Sequence, residues 1–554
     1  MRRKRLWSGR RSAALFRRQG LKMGRQSIAI AICDQQCHSK GRLDYRNLSE
    51  RLLKSSLFKE VVILEKACRD RNGKLDGLKG KKVLFGGCPF LEESGLYEKT
   101  FQDLCLKKAD FFTVDIKTEI FDLYEGKENI EENLYRKLVA SGNILARREP
   151  FEEDIIKPDQ KALVYGSGFS GLKAALRLAA ESIPVDIVET HGASLSPGYL
   201  SMILAEPGMI TGLLEAARKA ETITLLPQKA LKEVTPGEGG FIFRKAGGEK
   251  QEYGTIIFAP EREERPAGEI GALNLTQLYA RIGSQEALKT GAWKGETVFI
   301  LDHKTETGPE IFSDAIKAAE YLRKMHCAEV KILLRNARVS IPGLQELYDD
   351  CRQAGIIFIK YEDSLYIKNS GSGFAITGVD LQTSGQFIIK DTAGLIIPGK
   401  TILSPQAREF ARSLNLRIYN DDYSQSDSLW RLPNESNRPG IFVAGAAKGN
   451  MDKRAVEEDA ESLVFSLRQR LSPAGLRVEE YIPQVDKDKC ALCMTCMRVC
   501  PFGAMVKDAL YRVAKALKST CRACGTCAAE CPAKAIRIRN LEYESLISGM
   551  RALA

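Results

Sequence analysis

The chain has 554 residues, with 83 Lys and Arg against 71 Asp and Glu and a formal net charge of +12. This length predicts several domains, and no apolar run approaches the ~18 residues that predict a membrane-spanning helix. Nine of the basic residues lie in residues 1–22, which contain no acid, so the charge indicates a basic tail and not a nucleic-acid-binding face. Fifteen cysteines predict a reducing compartment, and hence the cytoplasm.

The first elements predict a small α/β domain that carries cysteines. We expect residues 1–26 to be a disordered basic tail and residues 27–150 to be the domain, with a start of translation at Met23 as the alternative for the tail. Its predicted strands cover 27–33, 61–64 and 82–85, with a helix over 43–57. Four thiols lie at or after predicted strand ends, namely Cys33, Cys37, Cys68 and Cys88. Four thiolates at one sheet edge can bind a 4Fe–4S cluster, although four incidental thiols fit the same spacing.

A larger α/β region is predicted over 158–472, after a charged linker that contains two prolines. Apolar strands alternate there with helical stretches, which favours parallel sheets with crossover helices. The predicted strands cover 162–165, 185–188, 255–258, 298–301, 330–333 and 356–359. Residues from about 296 to 400 are expected to form a degenerate second nucleotide-binding subdomain.

A glycine-rich turn follows the first of these strands. Residues 161–171 read KALVYGSGFSG, and a helix is predicted over 172–180. Gly166 permits the tight turn, Gly168 lets the backbone approach a pyrophosphate, and Gly171 lets the helix and the strand pack closely. The helix N-terminus favours anions through its unpaired N–H groups and its dipole. The candidate cofactor-binding loop is therefore Gly166, Ser167, Gly168, Phe169, Ser170 and Gly171. A purely structural turn is the alternative.

Three further features suggest which dinucleotide is bound. Glu189 ends the next strand, where an acid can accept a hydrogen bond from a ribose hydroxyl. Residues 440–447 read GIFVAGAA, which fits the role of the late strand and glycine loop that close the FAD site in flavoproteins of the disulfide-reductase type, and a helix is predicted over 455–468. Gly445 and Ala446 are the candidate FAD contacts there, although many such proteins have aspartate in place of Ala446. No glycine-rich turn follows the strand predicted near 297–301, so we expect FAD without a competent NAD(P)H site.

Residues 484–540 contain two cysteine runs with the same spacing, each closed by proline. The first run is Cys490, Cys493, Cys496 and Cys500, and the second run is Cys521, Cys524, Cys527 and Cys531. This pattern predicts a bacterial-type α+β ferredoxin domain with two 4Fe–4S clusters, in which the fourth cysteine of each run binds the cluster of the other run. One alternative is zinc, but a zinc site needs only four thiolates, usually from two Cys-x2-Cys pairs, so the other cysteines of each run would be superfluous. The other alternative is a disulfide framework, which would require an oxidising compartment.

The chain resembles the A subunit of heterodisulfide reductase and its relatives in quinone-interacting membrane oxidoreductase complexes. The resemblance covers about residues 27–535 and depends on the glycine loop, the paired cysteine runs and a few shorter stretches. These stretches are Ile32-Cys33, Gly87-Cys88-Pro89, 329–335, 345–354 and 440–447. It implies an FAD domain of thioredoxin-reductase type among several 4Fe–4S clusters, and it favours a cluster at the N-terminal cysteines. The chain departs from relatives that have a cysteine-rich stretch near 308–321.

The sequence therefore predicts an FAD and iron–sulfur electron-transfer subunit of a cytoplasmic oxidoreductase complex. Other redox subunits or an electron-carrier protein are the expected partners, and a membrane complex is one setting that the resemblance implies. Two alternatives remain open. One is an NAD(P)H-dependent flavin and iron–sulfur oxidoreductase, similar to the small subunit of glutamate synthase. The other is a structural scaffold subunit with inert cofactors. No acid–base constellation is evident, so no catalytic residue is predicted.

Overall fold

The structure is a computed structural model, and its described residues fall into two compact units. One unit holds the described residues of 28–149, 481–486 and 534–553, and the other holds those of 154–478 and 487–533. The predicted basic tail, residues 1–26, lies outside the described residues. The described residues are 28–34, 43–65, 67–68, 75–93, 95, 99, 102–124, 129–149, 154–190, 195–206, 208–228, 231–245, 248–266, 268, 271–282, 295–304, 306–326, 329–362, 365–369, 373–419, 423–424, 428–429, 431–478, 481–508 and 510–553.

The first unit is built on a four-stranded parallel sheet. In spatial order its strands are Phe58–Leu64, Ile28–Cys33, Lys82–Gly87 and Phe111–Asp115. Successive side chains point to opposite faces of a strand, so Ile28, Ile30 and Ile32 join one hydrophobic core while alternate residues, among them Ala29 and Cys33, join the other. The described α-helices of the unit are Tyr45–Lys54, Pro89–Glu93, Ile130–Arg147 and Tyr543–Leu553, with short 3-10 helices at Asp76–Leu78 and Lys108–Asp110 and a π-helix at Lys117–Asp122.

Two segments from the C-terminal part of the chain complete the first unit. The C-terminal helix Tyr543–Leu553 packs on the helix Ile130–Arg147, and a Cβ on Gly549 would lie 3.0 Å from Cδ1 of Ile144. The strand Pro483–Val485 pairs antiparallel with Ile536–Ile538. A small residue at position 549 therefore lets the two helices approach closely.

The second unit contains a five-stranded parallel sheet. In spatial order its strands are Ile441–Val443, Thr255–Phe258, Ala162–Tyr165, Val185–Glu189 and Ile223–Pro227. The helices Phe169–Ala180 and Lys453–Arg470 pack on one face. An antiparallel sheet packs on the other face together with the helix Pro405–Ser413, and its strands are Leu231–Gly237, Gly240–Lys245 and Lys250–Tyr253. Three minor pieces accompany this region, namely the helices Met202–Ala205 and Met209–Lys219 and the strand pair Ile155–Ile156 with Leu476–Arg477.

A second parallel sheet repeats this construction. In spatial order its strands are Ile357–Lys360, Glu329–Leu334, Glu296–Ile300 and Gly394–Ile396. The helices Leu275–Ile282, Pro309–His326 and Leu344–Gln353 lie on one face. The antiparallel strands on the other face are Tyr366–Asn369, Phe374–Val379 and Gln386–Thr392. The strands Arg262–Glu264 and Thr401–Leu403 pair with each other. Parallel sheets covered by helices confirm the predicted α/β class.

The cysteine-rich segment contains only short elements. They are the helices Thr495–Val499 and Thr526–Ala529 and the antiparallel strands Met505–Lys507 and Ala514–Ala516. None of the helices in the described part of the chain is long and apolar enough to cross a lipid bilayer.

Several predicted boundaries were displaced by local chemistry. The helix predicted over 43–57 is Tyr45–Lys54, because the Asp44 side chain accepts hydrogen bonds from the backbone N–H of Arg46 and Asn47 and caps its start. The helix predicted over 172–180 begins earlier, at Phe169, so the last glycine of the motif lies inside its first turn. The strands Ala162–Tyr165 and Thr255–Phe258 have the predicted bounds.

Candidate functional site: a glycine cradle and two sets of thiols

The glycine loop, residues 166–171, connects the central strand of the five-stranded sheet to the helix Phe169–Ala180. Gly166 has φ = +130°, and a Cβ there would lie 2.2 Å from the carbonyl oxygen of Ala259. A Cβ on Gly171 would lie 2.0 Å from the carbonyl oxygen of Gly166. Only glycine fits these two positions, so the local geometry is the tight turn and close packing that the motif predicts.

The N-terminus of this helix already has an anion on it. The backbone N–H of Ser170 donates a 2.7 Å hydrogen bond to Oε1 of Glu261. A Cβ on Gly168 would lie 2.2 Å from Cγ of Glu261, so this side chain fills the space that the glycine leaves open. The carboxylate therefore takes the place that the motif normally reserves for a phosphate group.

Three other groups hold Glu261 in this place. The N–H of Ser196 donates to Oε2 at 3.2 Å, and the hydroxyls of Ser196 and Tyr199 donate to the same oxygen. Burial raises the pKa of Glu261, against the effect of these hydrogen bonds. Glu261 was not predicted as a site residue, because it lies in a loop after the strand Thr255–Phe258 and no motif marks it.

Other candidate residues of the loop take different roles. The Ser167 hydroxyl donates to the backbone oxygen of Thr190 at 3.1 Å, so it ties the loop to the end of the neighbouring strand. The Phe169 ring is fully buried against Tyr199, with 5.3 Å between ring centroids. Glu189 is half-buried at the end of its strand, where the sequence placed the ribose partner. The side chain of Phe169 thus belongs to the core and only its backbone can face a cofactor.

The closing loop, Gly445–Lys448, lies directly against the glycine loop. The N–H of Ala446 donates to Oγ of Ser170 at 3.2 Å, and a Cβ on Gly445 would lie 2.3 Å from Cβ of Ser170. The N–H of Gly445 donates to Oδ2 of Asp459 at 2.7 Å. The structure therefore brings the two candidate cofactor segments together, although they are far apart in the sequence.

Asp459 is a second residue of this site that was not predicted from the sequence. It lies on the helix Lys453–Arg470 and also bonds Nδ2 of Asn434 at 2.9 Å and Nζ of Lys448 at 2.5 Å. It is one of several acids on that helix, so no local signal distinguishes it. Lys448 lines a cavity of about 380 Å³ together with Arg262, Thr307, Pro398, Thr401 and Asn450. The cavity lies next to the closing loop and has charged and polar walls.

The eight C-terminal cysteines form two sets in the structure. Burial raises the pKa of Cys496, and the nearby thiols of Cys490, Cys493 and Cys531 raise it further. Burial also raises the pKa of Cys527 to about 12, and the nearby thiols of Cys521, Cys500 and Cys524 contribute to this rise. Each set thus combines three cysteines of one run with the fourth of the other run.

The two cysteine runs have the same backbone shape. Left-handed φ angles occur at Leu492 and Met494 in the first run and at Ala523 and Gly525 in the second. These positions correspond when the runs are aligned on their cysteines. Successive residues of this kind turn backbone N–H groups toward an enclosed anion. The N–H···S contacts include those from Ala504 to Cys500 at 3.2 Å and from Ala523 to Cys521 at 3.4 Å.

The geometry does not resemble a site for a single metal ion. Among the residues that the structure describes, no three His, Cys, Asp or Glu side chains converge on one point that could hold an ion. A 4Fe–4S cluster requires no such point, since each thiolate binds a different iron atom.

Three of the four N-terminal candidate cysteines follow neighbouring strands. Cys33 ends the strand Ile28–Cys33, Cys88 directly follows Lys82–Gly87, and Cys68 comes shortly after Phe58–Leu64. These strands are adjacent and parallel, so their carboxyl ends lie at one edge of the sheet. Cys33 is buried, Cys88 is half-buried and Cys68 is exposed. Cys37, the fourth candidate, lies outside the described residues.

Comparison with known proteins yields one family model and several relatives. Residues 482–505 match a model described as a 4Fe-4S binding domain. A protein of Archaeoglobus profundus, named for its likeness to the A subunit of heterodisulfide reductase, is 28% identical over 178 residues, or 32% of this chain and 25% of that protein. The chain has homologues among heterodisulfide reductase A subunits. One of the iron–sulfur A subunits of the CoB--CoM heterodisulfide reductase of Methanopyrus kandleri is 24% identical over 34% of this chain and 29% of its own length.

These relatives confirm the predicted resemblance to heterodisulfide reductase A subunits, over about a third of this chain. The alignments nevertheless cover only about a quarter of the length of the relatives. Among solved structures, the thioredoxin reductase of T. acidophilum gives a TM-score of 0.38 at 16% identity, over 56% of this chain and 98% of that one.

Proposed function

We propose that this chain is an electron-transfer subunit that holds FAD and iron–sulfur clusters within an oxidoreductase complex. One observation carries the proposal: the glycine cradle, the closing loop and both sets of thiols belong to the same compact unit. The homology to heterodisulfide reductase A subunits and the 4Fe-4S binding domain support it. The partners that we propose are other redox subunits or a carrier protein, in the cytoplasm or on a membrane complex.

Two 4Fe–4S clusters are proposed at the C-terminal thiols. Cys490, Cys493, Cys496 and Cys531 would bind one, and Cys521, Cys524, Cys527 and Cys500 the other. The crosswise electrostatic neighbours of Cys496 and Cys527 favour these ligand sets over sets that follow the sequence runs. The thiols and the inward N–H groups supply negative ligands and positive dipoles, which together set the reduction potential of a cluster.

The FAD site is proposed at the two loops that meet at the glycine helix. The candidate residues are Gly166, Ser167, Gly168, Phe169, Ser170, Gly171, Glu189, Gly445 and Ala446. Gly166 and Gly171 give the tight turn and close packing that a dinucleotide loop needs. The Ser170 N–H, which bonds Glu261 in this structure, is the donor that a pyrophosphate would use once Glu261 moves aside. FAD supplies exchange of electron pairs with one partner and of single electrons with clusters. The two loops and Glu189 would position the phosphates and the ribose.

A third 4Fe–4S cluster is proposed at Cys33, Cys37, Cys68 and Cys88. The support is the parallel order of three neighbouring strands, whose carboxyl ends are followed by three of these cysteines. Loops that follow the carboxyl ends of neighbouring parallel strands are expected to converge on a common site, so the cysteines in these loops could share one cluster.

NAD(P)H is not proposed as a direct reductant. In the second parallel sheet, the turn after the strand Glu296–Ile300 is occupied by the buried Asp302. Its carboxylate accepts a 2.7 Å hydrogen bond from the N–H of Thr307 and a 3.3 Å bond from the N–H of Arg335. An acid at this point opposes a pyrophosphate through like charge. This observation favours electron entry from a partner protein.

One experiment tests the proposed function. The chain is purified without oxygen together with attached partners, and iron, acid-labile sulfide and flavin are measured. About eight irons per chain are expected for the two C-terminal clusters and about twelve with the N-terminal one. Preparations without flavin and sulfide would contradict the proposal. Mixing with NADH and NADPH should leave the flavin band unchanged, whereas rapid bleaching would favour the NAD(P)H-dependent alternative.

A further inference from the structure

We propose that Glu261 is an internal competitor of the dinucleotide, whose carboxylate must leave the glycine cradle before a pyrophosphate can bind. The inference rests on the proposed FAD site and adds a regulatory residue to it. It starts from the 2.7 Å hydrogen bond between the Ser170 N–H and Oε1 of Glu261.

Glu261 and a pyrophosphate require the same donor. The helix Phe169–Ala180 offers its first unpaired N–H groups at the glycine loop, and the one on Ser170 is already used by Glu261. The side chain also fills the volume above Gly168, where a Cβ would lie 2.2 Å from Cγ of Glu261. The Glu261 side chain and a pyrophosphate would therefore compete for the same space and the same N–H donor, so the cradle cannot hold both at once.

Charge repulsion also opposes the presence of Glu261 and a pyrophosphate in the cradle at the same time. An ionised Glu261 and a pyrophosphate are both anions, and two like charges at hydrogen-bond distance from one N–H repel each other strongly in a buried site. Glu261 is fully buried, so little water is available to screen that repulsion. The carboxylate must therefore turn away or take up a proton when a pyrophosphate arrives.

The carboxylate of Glu261 is held by hydrogen-bond donors from more than one segment of the chain. Ser196 contributes both its N–H and its hydroxyl, and this hydroxyl oxygen also accepts a 2.8 Å bond from the N–H of Arg262. Tyr199 donates from the next turn of chain, and its ring packs on Phe169 at the helix start. Release of Glu261 would therefore be transmitted to the segment that contains Ser196 and Tyr199.

The test compares FAD affinity in three variants of the full chain with its clusters in place. Glu261→Ala removes the competitor, and Glu261→Gln keeps the shape of the side chain but removes the charge. Asp186→Asn is the matched control, because Asp186 is a buried acid of the same sheet that bonds Tyr253 instead of the cradle. Each protein is depleted of flavin, and FAD is titrated without oxygen by fluorescence.

We expect Glu261→Ala to bind FAD about tenfold or more tightly than the wild type, which is the effect of losing one charge-assisted hydrogen bond to a competitor. Glu261→Gln should also bind FAD more tightly than the wild type, but by less than Glu261→Ala, because its amide still fills the space above Gly168 without the charge. The control should match the wild type. Equal or weaker binding by both Glu261 variants overturns the inference but leaves the proposed function standing, provided that the wild type binds FAD. No FAD binding by any of the four proteins overturns both. If Glu261→Ala does not fold, Glu261→Gln decides the question alone.

Discussion

Arg438 lies directly against Gly503, so that a Cβ on Gly503 would be 2.0 Å from Nη1 of the guanidinium. Gly503 follows Cys500 and Pro501 in the first cysteine run, whereas Arg438 precedes the strand Ile441–Val443 of the five-stranded sheet. Burial lowers the pKa of Arg438, and the nearby Cys500 sulfur opposes that effect. A buried positive charge thus lies where the sheet meets the second set of thiols.

Replacing Arg438 should lower the reduction potential of one cluster. In Arg438→Met the positive charge near Cys500 is lost, so the extra electron of the reduced cluster is stabilised less. We expect a fall of about 30–60 mV in one midpoint, a factor of roughly three to ten in the one-electron equilibrium, and no change in the other. Redox titration followed by electron paramagnetic resonance measures both. Arg454→Gln, which alters an exposed arginine on the helix Lys453–Arg470, is the control and should shift neither. Equal shifts in both midpoints would contradict the assignment.

Paired cysteine substitutions test the crosswise sets. Cys496→Ser with Cys531→Ser alters two ligands of one proposed cluster, so iron should fall from about eight to about four atoms at the C-terminal thiols. Cys496→Ser with Cys500→Ser alters one ligand of each cluster, so both should be weakened and more iron lost. Iron and sulfide analysis distinguishes the pairs. Cys351→Ser is the control, since Cys351 is buried in a core away from the thiol sets. The reverse order of iron loss would favour ligand sets that follow the runs.

Gly445 tests the junction of the two flavin-binding loops. Gly445→Ala places a Cβ 2.3 Å from Cβ of Ser170 and strains a backbone with φ = +60°. We expect loss of bound flavin and a fall of about 1–3 kcal/mol in the free energy of unfolding. Flavin absorbance and thermal unfolding measure these effects.

Gly212→Ala provides the matched control for that variant. Gly212 lies in the helix Met209–Lys219, and no heavy atom lies within 4 Å of the added Cβ. Alanine there should stabilise the helix by about 0.5–1 kcal/mol and leave the flavin content unchanged. Unchanged flavin in Gly445→Ala would show that the closing loop does not contribute to the site.

The N-terminal thiols can be tested separately from the ferredoxin-like segment. Cys88→Ser should lower the iron content by about four atoms per chain, because it removes one proposed ligand of the third cluster. Cys105→Ser is the control, since Cys105 does not follow one of the three neighbouring strands. Iron content that stays constant in Cys88→Ser would mean that the N-terminal cysteines are ordinary thiols.

The sequence predicted the elements that depend on local patterns. The strands Ala162–Tyr165 and Thr255–Phe258 are short, mainly apolar runs, and their limits were predicted correctly. The helix Lys453–Arg470 was predicted too short, because Asp452 caps it by accepting a 2.7 Å bond from the N–H of Ala455. Periodicity identifies an element well, whereas a side-chain cap sets its end.

The sequence could not predict what fills the cradle. Glu261 is separated from Ser170 by 91 residues and is brought to it only by the parallel pairing of Thr255–Phe258 with Ala162–Tyr165. Asp459 likewise reaches Gly445 through the packing of a helix on the sheet. Contacts of this kind depend on tertiary structure, and a motif search finds only the partner that carries the pattern.

The matching left-handed residues of the two cysteine runs bear on the direction in which electrons would pass between the two proposed clusters. The two cysteine runs form an approximate internal duplication, because their backbones are equivalent. This duplication on its own would give the two proposed clusters equal reduction potentials. Any difference between the two potentials must then arise from neighbours that break the duplication, and the buried Arg438 beside Cys500 is such a neighbour.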